Sequence, residues 1–591
     1  MTGRVGVDTG GTFTDVVTAR GEVVKLPSRA ADPAGVVGEG LHRVGGATAL
    51  AYGTTVATNA LLERRGGRVA LITTEGQGDV IEIARQVRPS LYDIWADRPE
   101  PLVPRHLRFE VSGRLDAKGS EIAPLGPLPK LPPALDAVAV CLLHSDLNPK
   151  HEVQVESQLR GPAVVVRSSV VSPEFREYER VVTTVADAYL RRPCARHLAD
   201  LERLAPEVLV LTSAAGLVPL REAAARPAAL LLSGPAGGVL AASAAARAAG
   251  YPDCVTLDRG GTSTDVCLIR GGRPEPAGER LVAGLPVRMP SVDVLTIGAG
   301  GGSIARIDAG GALVVGPQSA GAEPGPCCYG RGGDRPTVTD ADLSAGRIPV
   351  EGLPGLGRLD VGAADRALSA SGLSAVAVIA VVDEAMTQAV RAVSIARGVD
   401  PRRLALVAFG GAGPLHACAL ADALGMPAVV VPPRAGVLSA VGILGAPRQV
   451  DLVRSWPDAS DHAGAEAAAA ALAAEAQAAA GEAVDRVTVS FDCRYTGQSH
   501  ELTVASVQAF AKEHARRRGY ALEGAPVEVI ALRASAQVDS PVDAAGLPAP
   551  TRRGPVRGPA VIAEADCTVW VAAGWTAVVH PAGSWILERS L

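Results

Sequence analysis

The chain has 591 residues, of which 48% are hydrophobic and 20% charged, and its formal net charge is −5. This composition excludes a disordered chain, and the mild negative charge argues against an electrostatic nucleic-acid binder. A chain this long exceeds what one core serves and calls for about two to four domains. Aromatic residues make up only 3%, so the core must rest on Val, Leu, Ile and Ala, and 66 Gly with 44 Pro require many tight loops. Nine cysteines show no paired metal spacing, and the adjacent Cys327 and Cys328 suit neither a zinc knuckle nor an ordinary disulfide. A reduced, cytoplasmic setting is the expectation.

At the N-terminus Arg4–Val7 reads as a strand with no basic segment and apolar stretch before it, so no secretory signal is expected. It leads into Asp8-Thr9-Gly10-Gly11-Thr12-Phe13-Thr14-Asp15-Val16, and that motif recurs as Asp258-Arg259-Gly260-Gly261-Thr262-Ser263-Thr264-Asp265-Val266. Each copy follows a short apolar run, Val5–Val7 or Cys254–Leu257, and is followed by a second strand-like run. Each therefore reads as strand, Gly-rich turn, strand. A dinucleotide fingerprint and a P-loop both need a helix directly after the glycines, so neither applies.

Between the copies, His144 ends the apolar run Ala137–Leu143, where a site residue or a loop hydrogen-bonder both fit. Ser233–Gly238 precedes an Ala-rich helix and is either an anion site or a packed turn. Beyond the second copy, Gly298–Gly302 is open between a hinge and a nucleotide contact, and Cys328, with no histidine beside it, favours a structural role. Val376–Arg397 reads as a long helix closing at Gly398. Leu404–Phe409 is a continuous apolar strand ending in Gly410-Gly411-Ala412-Gly413-Pro414, with helical spacing over Leu415–Leu424; His416 at its start suits packing or capping. Residues 464–480 read as a solvated Ala-rich helix between domains; Glu466, Glu475 and Gln477 break that run, and no apolar run is long enough to span a bilayer. Short alternating strands follow: Val487–Tyr495, Glu501–Val504, Val527–Ala534 and Thr568–Val571.

Glycines at a tight turn let backbone N–H groups approach a phosphate, because no Cβ intervenes. Two such turns facing one another can grip adjacent phosphates. Thr12, Thr14, Thr262 and Thr264 add hydroxyl donors. Asp8 and Asp258, at the strand ends, suit a water-mediated Mg²⁺ site between the turns. Asp15 and Asp265 suit orienting metal waters or a nucleophile. Strand alternation favours Arg259 turned away from the face that Asp258 presents, with contact to the γ-phosphate as the alternative.

The paired motifs resemble the two phosphate loops of the actin/sugar kinase/Hsp70-like ATPase fold, and Gly410-Gly411-Ala412-Gly413 resembles its adenosine loop. More narrowly, the chain is similar to the hydantoinase A/oxoprolinase family. The similarity runs through Thr54–Glu63, Gln86–Tyr92, Ser172–Arg180, Ser233–Gly238, Gly298–Ser303, Gly316–Ala322, Phe409–His416 and Tyr495–Ser499. It departs at Arg259, where relatives commonly carry Met. The resemblance implies an α/β protein. Residues 1–190 would form an actin-like domain with the first phosphate loop, and 191–450 a second with the other phosphate loop and the adenosine loop. An Ala-rich helix and a β-rich C-terminal domain would follow over 451–591.

It also implies that ATP phosphorylates the carbonyl oxygen of a small cyclic amide such as 5-oxoproline or a hydantoin. A hydantoinase B-type partner subunit would then complete ring opening within a hetero-oligomer. On this resemblance Asp8, Asp15, Asp258 and Asp265 are the expected catalytic carboxylates, with Asp8 and Asp258 toward Mg²⁺. Thr9, Gly10, Gly11, Thr12, Thr14, Gly260, Gly261, Thr262, Thr264, Gly410, Gly411, Ala412 and Gly413 are expected to bind ATP. A ketone carboxylase subunit is the alternative, and an actin-like filament or chaperone ATPase a more distant one.

Overall fold

A computed structural model describes residues 2–590 apart from 30, 162, 353–356, 482–483 and 549–553. Its frame is two large sheets that repeat one arrangement. In the first, β1 (Thr2–Thr9) pairs antiparallel with β2 (Phe13–Thr18), β2 with β3 (Val23–Pro27), and β1 lies parallel to β4 (Ala47–Thr54). In the second, β5 (Cys254–Arg259) pairs antiparallel with β6 (Thr264–Arg270) and parallel with β8 (Ala405–Phe409), while β7 (Val294–Ile297) pairs with β6. Val5, Val7, Val255, Leu257 and all of β8 are buried, as expected of strands covered on both faces.

Helices hold the two sheets together at backbone distance. Helix α1 (Ser233–Ala248) crosses α3 (Leu438–Leu444), and α2 (Ala375–Val393) covers the second sheet. At the crossing a Cβ on Gly442 would stand 1.7 Å from the Gly237 carbonyl oxygen, and one on Gly6 would meet the Ala440 carbonyl at 2.5 Å. Only glycine fits either place. Ser233–Gly238 is thus the packed first turn of α1, with Ser233 buried.

The strands after 451 are present as expected, but apart from 560–563 and 568–571, which pair with each other, they join the two large sheets. Strands 448–455, 486–495, 502–504 and 527–538 extend the first sheet, and 556–557, 575–579 and 585–589 extend the second. Strands 207–211 and 217–219 also belong to the first sheet, so the boundaries expected at 190 and 450 do not separate the sheets. The Ala-rich helix α4 (Ala465–Ala480) is not a solvated bridge. It lays Ala469, Leu472, Ala473 and Ala476 against the strands 448–455, 486–495 and 527–538. Its apolar stripe is built of alanine, which presents little area, and this hides it from a reading by hydrophobic contrast. Among the described residues, no single helix is long and apolar enough to cross a membrane.

Candidate functional site

The two hairpins share one local construction. Asp8 stands opposite Asp15 in the β1–β2 register, and Asp258 opposite Asp265 in β5–β6. Directly opposed residues share a face of the sheet, so each hairpin presents two carboxylates on one side. Each turn closes alike: Gly10 N–H donates to the Phe13 carbonyl at 2.9 Å, and Gly260 N–H to the Ser263 carbonyl at 3.1 Å.

Both hairpins open onto one cavity of about 930 Å³. The first contributes Asp8, Gly10, Gly11, Thr12 and Asp15, and the second Asp258, Gly260, Gly261 and Thr262. From the turn after β8 come Gly410, Gly411 and Ala412. Gly410 has φ +77°, and a Cβ there would lie 2.5 Å from Asp258 Oδ1, so glycine is required beside the carboxylate. Ala412 N–H ties this turn to the second hairpin through the Arg259 carbonyl at 3.1 Å.

Thr9, Thr14, Thr264, Asp265 and Gly413 do not line the cavity. Thr9, Thr14 and Thr264 alternate with the acids and so face the other side of their strands. Two of their hydroxyls are engaged there, Thr14 with Ser28 Oγ at 3.0 Å and Thr264 with the Ala299 carbonyl at 2.7 Å. Asp265 accepts the Thr296 hydroxyl, and Gly413 begins a buried turn Gly413–Leu415.

Confinement shapes the electrostatics. Burial, followed by the neighbouring Asp15, raises the Asp8 pKa to about 7. Asp258 is raised well above the usual carboxylate range by burial, then by Asp265 and Asp8. Burial raises Asp265 to about 6, and raises Asp15 against the pull of Lys25. Asp8 and Asp258 line the same cavity, and the charge of Asp8 adds to the upward shift of Asp258.

Sequence reasoning missed Lys25, Asp566 and Asp342, all of which line the cavity. Lys25 on β3 is in register with Asp15, and its Nζ donates to the two Asp15 oxygens at 2.8 and 3.0 Å and to the Gly436 carbonyl at 3.3 Å. Counting the register outward from the turn at Gly21 would have found it. Asp566, which accepts the Gly436 N–H at 2.8 Å, arrives from the far end of the chain and carries no local signal.

Arg259 is fully buried and does not line the cavity. Its Nε and Nη2 donate to the Ala299 and Gly300 carbonyls at 3.0 Å each, and Nη1 lies 2.6 Å from His416 Nε2. His416 also meets Asp383 at 2.5 Å and Asp342 at 3.1 Å. Burial, and then the Arg259 charge, lower its pKa, but Asp342 and Asp383 together outweigh them and the net shift is upward. The Gly298–Gly302 segment backs the second turn: Gly301 and Gly302 N–H donate to the Gly260 and Gly261 carbonyls at 3.0 and 2.7 Å. Cys328 is buried with its N–H on Asp340 at 2.8 Å, and burial pushes its thiol pKa up, which makes it inert. His144 sits in a turn at φ 61°, its carbonyl accepting from Leu147 and Asn148, away from the cavity.

Among the described residues, no group of three or more His, Cys, Asp or Glu is placed to hold a metal. As a donor set, the two carboxylates Asp8 and Asp258 would suit a hard cation that keeps its waters and takes phosphate oxygens as further ligands. Both carboxylates line the one cavity, and burial raises each of them toward protonation, which suits such an ion.

The family model described as Hydantoinase/oxoprolinase matches residues 180–450, and that described as Hydantoinase/oxoprolinase N-terminal region matches 4–161. The chain is 32% identical to the caprolactamase subunit alpha of Pseudomonas jessenii, over 99% of each chain. It is 34% identical to the acetophenone carboxylase gamma subunit of Aromatoleum aromaticum, over 74% of this chain and 67% of that one. The crystal structure of the ATP-dependent caprolactamase from Pseudomonas jessenii matches with a TM-score of 0.85 at 29% identity, over 100% of both chains.

Proposed function

Because the chain belongs to the hydantoinase/oxoprolinase family, we propose that it is the ATP-using subunit of an enzyme that activates a small cyclic amide for ring opening. The observation that carries this is the pair of Gly-rich hairpins opening on one cavity that Asp8 and Asp258 both line. The whole-length similarity to a caprolactamase subunit supports the amide.

A lactam resists hydrolysis because nitrogen donates into its carbonyl. In the proposed step the carbonyl oxygen attacks the γ-phosphorus of ATP, the new O–P bond forms, and the bond to the β–γ bridging oxygen breaks with its electron pair leaving on ADP. The nitrogen of the phosphorylated amide then loses its N–H proton to an ionised carboxylate of the cavity. Backbone N–H groups at Gly10–Thr12 and Gly260–Thr262 hold the phosphates from two sides, and Gly410–Ala412 takes the nucleoside end. Asp8 and Asp258 would hold Mg²⁺, which when bound neutralises phosphate charge. Among the described residues no metal-holding cluster is suited to activating water on the phosphorylated carbon, and a hydantoinase B-type partner subunit would complete ring opening.

The similarity to an acetophenone carboxylase subunit supports a second use of the same step, phosphorylation of a ketone ahead of carboxylation. Mg²⁺-dependent ATP turnover with caprolactam, 5-oxoproline or hydantoin, against acetone or acetophenone with bicarbonate, separates the two. Turnover with an amide alone is the expected result. Stimulation by a ketone and bicarbonate alone would move the assignment to a carboxylase, and absence of Mg-ATP binding would sink both.

A further inference from the structure

The duplicated motif does not account for Lys25. Across the first sheet the row of opposed residues is Asp8, Asp15, Lys25. Across the second it is Asp258, Asp265, Thr296. The repeat therefore breaks at its third strand, where an ammonium stands on one side and a neutral hydroxyl on the other.

Lys25 faces the cavity with its side chain 26% exposed, and Asp15, which holds it, is 14% exposed. Its charge acts on Asp8 and Asp15 in its own hairpin, on Asp258 across the gap, and on Asp566 beside Gly436. Its Nζ is held between the Asp15 carboxylate and the Gly436 carbonyl, and these groups line the cavity onto which both hairpins open. The other cations lining the cavity are disposed differently: Arg434 is committed to the Gly21 and Pro548 carbonyls, and Arg331 is exposed. Phosphoryl transfer spreads negative charge over the equatorial oxygens of the moving group, here amid four carboxylates.

We infer that Lys25 is a catalytic cation whose ammonium binds the terminal phosphoryl group of the nucleotide and stabilises its charge during transfer, with Asp15 as the residue that positions it. The inference rests on the ATP reading of this cavity. Lys25 moves no proton in this step. Its alternative is an ordinary cross-strand ion pair that only braces the first hairpin.

The test uses the full chain with Mg²⁺, titrated calorimetrically with ADP and with adenylyl imidodiphosphate. Lys25→Gln is expected to leave ADP affinity within about three-fold and to weaken the triphosphate analogue by about ten-fold or more, and Lys25→Arg to restore most of that loss. In amide-dependent turnover Lys25→Gln should lower kcat by about 10²-fold or more, the size associated with losing one donor to developing charge. Equal weakening of both nucleotides together with a lower Tm, or no weakening of either, would overturn the inference. Wild-type chain that discriminates the nucleotides through Lys25 yet turns over with no amide and no ketone defeats the proposed reaction and leaves Lys25 standing. Failure of wild type to bind either nucleotide defeats both.

Discussion

The two hairpins have the same backbone and different supports. Both close with a Gly N–H to the residue three further on, and both oppose Asp to Asp. The first turn is clipped from the side by a hydroxyl, since Ser28 Oγ donates to the Gly10 carbonyl at 2.8 Å and its N–H to the Thr12 carbonyl at 2.9 Å. The second is held from behind by a glycine segment that Arg259 grips through the Ala299 and Gly300 carbonyls. The first faces the cavity with a lysine in its row, the second with none. Shared geometry serves what the two must do alike, which is to offer N–H groups to phosphate. The differences divide the remaining work: one side carries the mobile charge, and the other is the rigid wall.

That division is broken most severely at the acid. Asp258→Asn should lower Mg²⁺-dependent ATP turnover by about 10³-fold or more, because the charge facing the proposed metal is lost while shape is kept. Steady-state kinetics beside an unchanged circular dichroism spectrum would check it, and a loss under ten-fold would remove Asp258 from the metal.

Arg259→Met tests the wall. ATP affinity should stay within a few-fold, since the guanidinium lies outside the cavity, while stability falls by about 3 kcal/mol as buried carbonyls, His416 and its acids lose their partner. Urea unfolding and nucleotide titration on the same sample give both numbers. Turnover falling by the 10³-fold or so of a lost arginine finger, with stability intact, would mean that Arg259 reaches the phosphate instead.

Asp8→Asn gives the smallest effect and the sharpest sign. The folded-state pKa of Asp8 is raised to about 7 from 3.8, so the folded chain binds the proton more tightly than the unfolded chain. The resulting stability is fully present below about pH 4 and is lost as pH rises through about 7. Without metal, Asp8→Asn should therefore exceed wild type in stability at pH 8 and approach it near pH 4. Added Mg²⁺ should raise the Tm of wild type and not of the variant. A gap that is the same at both pH values would place Asp8 in water.

Much of the candidate site was legible because it is written twice. The turn glycines, the acids one register step apart and the direction of Arg259 all follow from alternation within about ten residues. Thr14 and Thr264 misled because their hydroxyls look available in the sequence; alternation carries them to the far face, where Ser28 and Ala299 engage them. Lys25 was within reach of the same counting. Asp566 was not, since nothing near it announces a cavity more than five hundred residues upstream.

By itself the sequence determined the strands, the two Gly-rich turns and the long helix ending at Gly398, because these depend on side-chain period and on where a Cβ is tolerated. Only the tertiary structure decided that strands after 451 complete both large sheets, that α4 packs on one of them, and that Arg259 anchors a loop through carbonyls. Sheet edges accept any strand whose pattern matches, and backbone carbonyls are the same at every residue. Which edge is filled and which carbonyl is gripped therefore depend on long-range packing such as the Gly237–Gly442 contact, which leaves no local trace in the chain.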